Sequence, residues 1–192
     1  MTIPSTFRPL AVILLLAAAP ALAGQAHEIL ETSGIQGGLV VHVGCGDGTL
    51  TAALRANDSF LVHGLDTDPQ QVLAARKHIQ SLGLYGPVSV QTWAGDRLPY
   101  VDNFVNLIVV SRPLSIDRAE LLRVLCPGGV AVFVTDRGPR TTDTLVKPRP
   151  ADIDDWTHFL HGPDNNAVAR DRRVDVPRSI QWVSEPRWGR SH

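Results

Sequence analysis

The chain has 192 residues, enough for one well-packed domain with appendages. Its 18 Lys+Arg against 19 Asp+Glu give a formal net charge of −1, and no basic stripe follows any predicted helix, which excludes a nucleic-acid footprint and favours small-molecule ligands. At the amino end, Arg8 precedes the apolar run Leu10 to Ala19, followed by Pro20 and the small residues Ala21-Leu22-Ala23, with a second cut position after Ala26. The run is too short to span a bilayer core of about 30 Å, so residues 1–26 read as a cleaved export signal that leaves no stable membrane span. That reading places the protein outside the cell or in the periplasm; without it the protein is cytoplasmic.

His27 to Ser33 forms a short helical pattern closed by Gly34, and Gly37-Gly38 leads into an apolar strand, Val40 to Val43, that runs into Gly44-Cys45-Gly46-Asp47-Gly48. Alternate glycines after a strand let the backbone take positive φ and approach a ligand closely, and the helix predicted over Thr49–Asn57 aims its free N–H groups at whatever the loop holds. Phe60 to Asp66 is a second buried strand ending in a carboxylate, 22 residues after Gly44, near the spacing of roughly 20 at which an acidic side chain reaches ribose hydroxyls in a doubly wound sheet. The sixth position of the dinucleotide fingerprint is Thr49 rather than Gly or Ala, which argues against NAD or FAD. Asp68-Pro69-Gln70-Gln71 starts a helix, with Asp68 as cap, whose apolar residues Val72, Ala75, Ile79 and Leu82 run to Gly83. Val88–Thr92, Asn106–Val110 and Val130–Thr135 read as strands and Ser115–Leu125 as a helix. Strands alternating with helices predict a three-layer, Rossmann-like α/β sandwich with a mostly parallel sheet.

Beyond Thr135 the pattern changes. Residues 137–150, polar and proline-rich, read as a linker, so the sheet is expected to be incomplete at its carboxyl-terminal end. Residues 151–192 carry Trp156, Trp182 and Trp188 without helix or strand periodicity and are expected to be an irregular tail. His158 and His161, near Asp154, Asp155 and Asp164, read as solvated residues rather than a metal site. His42, between valines in the first strand, reads as a packed, hydrogen-bonded histidine rather than a base. Cys45 and Cys126 fall at opposite ends of a parallel sheet, so no disulfide is expected between them.

Four segments in this order, Gly44 to Gly48, Gly64 to Pro69, Ala94-Gly95-Asp96 and Arg123 to Gly129, resemble the class I S-adenosyl-L-methionine-dependent methyltransferases of the small-molecule "type 11" kind, over about residues 37–135. The resemblance implies a domain at 27–136 whose cofactor is S-adenosyl-L-methionine. It assigns Gly44, Cys45, Gly46 and Gly48 to the loop around the methionine moiety, Asp66 to the ribose and Asp96 to the adenine amino group, with Thr67 and Gly95 as further cofactor-binding residues. Asp66 also reads as a solvated strand end and Asp96 as an ordinary turn aspartate. Two departures remove carboxylates near the cofactor: His42 stands where the family usually has an acidic residue, and Val105-Asn106 where it commonly has Phe-Asp. Residues 151–192 resemble the lead-in to a secreted bacterial PQQ-binding-like β-propeller, which implies that this chain is the front piece of a longer protein; PQQ itself has no site in this chain.

The expected function is methyl transfer to a small-molecule acceptor, with no catalytic residue assignable. The alternative is a catalytically inactive, methyltransferase-like scaffold at the front of an exported propeller protein, in contact with that propeller. Export itself conflicts with a cofactor made in the cytoplasm.

Overall fold

The computed structural model describes residues 24–95, 97–111, 116–135 and 138–173, with backbone alone at 135 and 138–143. The chain divides into two compact units, 1–148 and 149–192, described separately below. Residues 1–23 of the expected export signal lie outside the described residues. Residues 24–26 belong to a helix, α1 (24–33), whose Ala26, Ile29 and Leu30 are buried at i, i+3 and i+4. A cut after Ala26 would therefore remove part of α1, including a buried residue. Among the described residues no helix is long and apolar enough to cross a membrane.

The first unit continues as β1 (Gly38–Val43), α2 (Thr49–Ala53), β2 (Phe60–Asp66), α3 (Pro69–Ser81), β3 (Val88–Thr92), β4 (Val105–Val110), α4 (Arg118–Val124), β5 (Leu125–Thr135) and β6 (Gly138–Val146). The six strands form one sheet in the order β3-β2-β1-β4-β5-β6. The first five are mutually parallel and β6 is antiparallel to β5. The chain therefore winds outward from β1 to β3 and returns to the other side of β1, which puts the topological switch point between β1 and β4. In doubly wound sheets ligands bind in the crevice at the carboxyl ends of the strands there.

The strands form because they are apolar on both faces. Val40, Val41 and Val43 of β1 and Leu107, Ile108 and Val109 of β4 are fully buried, as expected for parallel strands covered on both sides. One face, with Val40, Val62, Leu107 and Val132, packs with residues of α1, α2 and α3. The other, with Val41, Leu65, Ile108 and Ala131, packs with α4 and with Trp93 and Leu98. The start of α3 follows its sequence signature: Asp68 Oδ1 accepts from Gln70 N at 2.8 Å and Pro69 occupies the first turn. Asp117 caps α4 in the same way, through Ala119 N.

Three predicted features need correction. Residues 137–150 are not a plain linker, because β6 occupies 138–146 and extends the sheet past its expected end at Thr135. The run Thr141-Thr142-Asp143-Thr144-Leu145-Val146 is rich in β-branched residues, Leu145 is buried while Val146 is exposed, and Pro139 lies at an irregularity of an edge strand, where proline is tolerated. Helix α2 stops at Ala53 instead of Asn57: Arg55 turns back onto Asn57 O and Asp58, and Asn57 Oδ1 accepts from Ser59 N, so the side chains close a turn where helix was expected. Strand β5 starts early, at Leu125. Its register against β4 jumps from Val105↔Leu125 to Leu107↔Val130, so Cys126 to Gly129 bulge out.

In the second unit, residues 149–173 are irregular apart from a bridge between His158 and His161. Asp154 organises them. Its Oδ2 accepts from His161 Nε2 at 2.7 Å and from Arg170 N at 2.7 Å, while Arg173 Nε donates to both oxygens of Asp152. Trp156 is more than half exposed and meets His161 edge to face. Trp182 and Trp188 lie outside the described residues.

Candidate functional site

The glycine loop leaves β1 at the carboxyl edge, and its three glycines, Gly44, Gly46 and Gly48, have φ of +77°, +55° and +81°. These are left-handed conformations that other residues take only under strain. Gly44 N and Cys45 N both donate to Leu65 O, tying the loop to the end of β2. At Gly48 space is limiting as well, since a Cβ there would lie 2.8 Å from the Ala75 Cβ on α3. The Cys45 side chain turns away from the loop surface. It is buried against Gly64, where an added Cβ would come 3.0 Å from Cys45 Cβ, so this residue offers a ligand its backbone alone.

Asp66 ends β2 on the same edge, as its spacing predicts. The carboxylate is buried, Oδ2 accepting from Gly46 N at 2.9 Å and Oδ1 from Asp68 N at 3.1 Å. It thus holds the glycine loop and the start of α3 at once. Thr67 comes next, and its Cγ2 lies 3.3 Å from where a Cβ on Gly95 would be, so the loop after β3 closes onto the loop after β2. Trp93 N donates to Asp66 O and its indole Nε1 to Arg97 O at 2.7 Å, which shapes that loop. Seven of the eight residues expected at the site, Gly44, Cys45, Gly46, Gly48, Asp66, Thr67 and Gly95, therefore sit on one edge of the sheet; Asp96 lies outside the described residues.

Sequence reasoning missed two side chains at this edge, Thr51 and Ser111. His42 is packed and hydrogen-bonded as expected, but its partners are Thr51 Oγ1 at 2.8 Å and Ser111 Oγ at 2.6 Å. Ser111 is the first residue after β4, and its N–H donates to Val43 O. The available signals were weak: a threonine on the buried face of α2 and a serine directly behind an apolar strand.

On the sheet face toward α4, Arg123 clamps the segment after the Gly95 loop. Its guanidinium donates to Glu120, to Leu98 O, to Tyr100 O and to Asp102, while Glu120 Oε1 accepts from Leu98 N. The hydrogen bond from Arg123 is the main reason that the Glu120 carboxyl is held below its ordinary range. Nearby, Tyr100 Oη lies 2.7 Å from His63 Nδ1; burial pushes the tyrosine up and the histidine down, so both stay neutral near pH 7.

In the second unit, His161 is committed to Asp154, and His158 Nδ1 lies 2.9 Å from Thr157 Oγ1. Among the described residues no group of three or more potential ligands could hold a metal ion.

Residues 40–129 match the family model of a methyltransferase domain. No curated protein matches the chain. Among solved structures, a candidate S-adenosyl-L-methionine-dependent methyltransferase from Methanococcus maripaludis is similar at 27% identity and a TM-score of 0.56, over 61% of this chain and 56% of that one. Geranyl diphosphate C-methyltransferase from Streptomyces coelicolor A3(2), solved with Mg2+, geranyl-S-thiolodiphosphate and S-adenosyl-L-homocysteine, has the same fold at 19% identity and a TM-score of 0.53, over 59% of this chain and 43% of that one. So does the [4+2]-cyclase SpnF, at 24% identity and a TM-score of 0.52, over 58% and 43%. This chain thus spans about half the length of these neighbours. In family model and in fold, the first unit of this chain is similar to class I methyltransferase domains.

Proposed function

We propose that the sheet domain binds S-adenosyl-L-methionine at its carboxyl edge and transfers the methyl group to a small-molecule acceptor. The observation that carries this reading is the Gly46 N–H held by the Asp66 carboxylate beneath three left-handed glycines, within a domain that matches a methyltransferase model. Neighbours of the same fold lend support, one of them solved with S-adenosyl-L-homocysteine and a prenyl diphosphate analogue.

The residues fit such a ligand. The backbone of Gly44 to Gly48, with glycine at every other position, would hold the methionine part at the start of α2. Asp66, which accepts from Gly46 N and Asp68 N at this edge, would take the ribose hydroxyls as further donors to its carboxylate. Thr67 would flank the ribose, and Gly95 with Asp96 would face the adenine. When bound, the cofactor supplies an electrophilic methyl on a sulfonium, and the domain's own task is to hold it in line with the acceptor, so positioning rather than a catalytic dyad dominates. The inactive-scaffold alternative draws on His42 and Asn106, which stand where the family usually carries carboxylates.

Calorimetric titration of the protein with S-adenosyl-L-homocysteine tests this, with NAD as the comparison nucleotide. Saturable binding of one equivalent of S-adenosyl-L-homocysteine and none of NAD is the expected result. No binding of the former, or equal binding of both, would overturn the proposal.

A further inference from the structure

His42 is a buried imidazole with a hydroxyl at each nitrogen: Thr51 Oγ1 is 2.8 Å from Nδ1 and Ser111 Oγ is 2.6 Å from Nε2. The three groups form a row. Thr51 is fully buried in α2, His42 lies in β1 between Gly64 and Val109 of the neighbouring strands, and Ser111 is partly exposed at the carboxyl edge next to the glycine loop. The row therefore leads from the interior to the edge where the candidate ligand residues gather.

A neutral imidazole donates at one nitrogen and accepts at the other, and a hydroxyl does either. Two arrangements satisfy both contacts, and the one with Ser111 Oγ donating to Nε2 and Nδ1–H donating to Thr51 Oγ1 makes Nε2 the acceptor on the side of the edge. We propose that Ser111 and His42 form a proton relay in which Ser111 Oγ takes a proton from a bound acceptor as its own proton passes to His42 Nε2, with Thr51 holding the ring in the required tautomer. Ser111 is then the catalytic residue, and His42 and Thr51 act through it.

The assignment of an acceptor rests on the methyl-transfer reading, and it narrows the acceptor to a neutral O–H or N–H group that must lose its proton. As that proton goes to Ser111, the electron pair left on the acceptor forms the bond to the methyl carbon. The carbon–sulfur bond breaks, with its pair remaining on sulfur. His42 is left as an imidazolium with Nδ1–H on Thr51, and it returns the proton to water through Ser111.

Long-range 1H–15N correlation spectra of histidine-labelled protein read the tautomer without cofactor or acceptor. The expected result is a His42 ring protonated at Nδ1, with an Nε2 resonance that shifts in Ser111→Ala, returns in Ser111→Thr, and an Nδ1 resonance that shifts in Thr51→Val. A ring protonated at Nε2, or an Nε2 resonance indifferent to Ser111→Ala, would overturn the relay. Adding S-adenosyl-L-homocysteine to the same samples separates the two readings. Absence of binding with the ring protonated at Nδ1 overturns methyl transfer and leaves the relay standing, whereas binding with the opposite tautomer overturns the relay alone.

Discussion

Val40, Leu107, Ile108 and Val132 are fully buried in the sheet of the first unit, whereas residues 149–173 of the second bury His161 and Gly162 and otherwise join through Asp154, Asp152, Arg170 and Arg173. The first unit is thus held by apolar area removed from water, worth about 25 cal/mol per Å2. The second is held by exposed hydrogen bonds and ion pairs, each worth about 0–1 kcal/mol. The difference decides where the protein can keep a geometry that chemistry depends on. Loops that hang from buried strands, such as those after Val43, Asp66, Thr92 and Val110, have fixed anchors; a loop closed on itself by surface charges does not.

The largest expected effect is in the middle of the sheet. Leu107→Ala should cost about 2–5 kcal/mol, read as a shift of the denaturant midpoint, and a loss under 1 kcal/mol would mean that area is not what holds this unit. Next comes Gly48→Ala, which combines a left-handed backbone with a Cβ pressed against Ala75. It should cost about 1–3 kcal/mol and weaken S-adenosyl-L-homocysteine binding in calorimetry, whereas wild-type behaviour would remove Gly48 from the account.

The clamp at Arg123 gives a smaller effect that depends on pH. Because the folded protein holds the Glu120 carboxyl below its ordinary value of 4.5, its ionised form stabilises the fold above pH 4.5, and that contribution fades as pH falls through the lowered value. Glu120→Gln should therefore flatten the stability curve below pH 4.5; an unchanged acid limb would show that the clamp adds nothing to folding. The smallest effect belongs to Asp154→Asn. It should speed amide exchange within 152–173 and move the unfolding midpoint of the sheet by no more than about 0.5 kcal/mol. A larger shift would contradict the separation of the two regions.

What was legible in the sequence follows the same division. Buried parallel strands leave continuous apolar runs, and caps such as Asp68-Pro69 leave local signatures, so β1 to β4, α3 and the placing of Gly44, Gly46 and Asp66 on one edge could be read directly. Features that depend on contacts distant in sequence could not. Glu120 and Arg123 meet the backbone of Leu98 and Tyr100 some 20 residues earlier, and His42 meets Ser111 from 69 residues away, with no periodicity to announce either. Strand β6 was hidden by Pro139 within it and by Pro148 and Pro150 after it, and the short α2 by side chains of Arg55 and Asn57 that compete with the helix.

The central claim is that the ligand edge is the one built by Gly44 to Gly48, Asp66, Thr67 and Gly95. Amide exchange mapped with and without saturating S-adenosyl-L-homocysteine tests it most directly. The account predicts protection at residues 44–49, 66–68 and 93–95 and none at Ser59 and Gly86, which line a shallow hollow at the amino ends of the strands. Protection at that hollow, with the glycine loop unchanged, would contradict it.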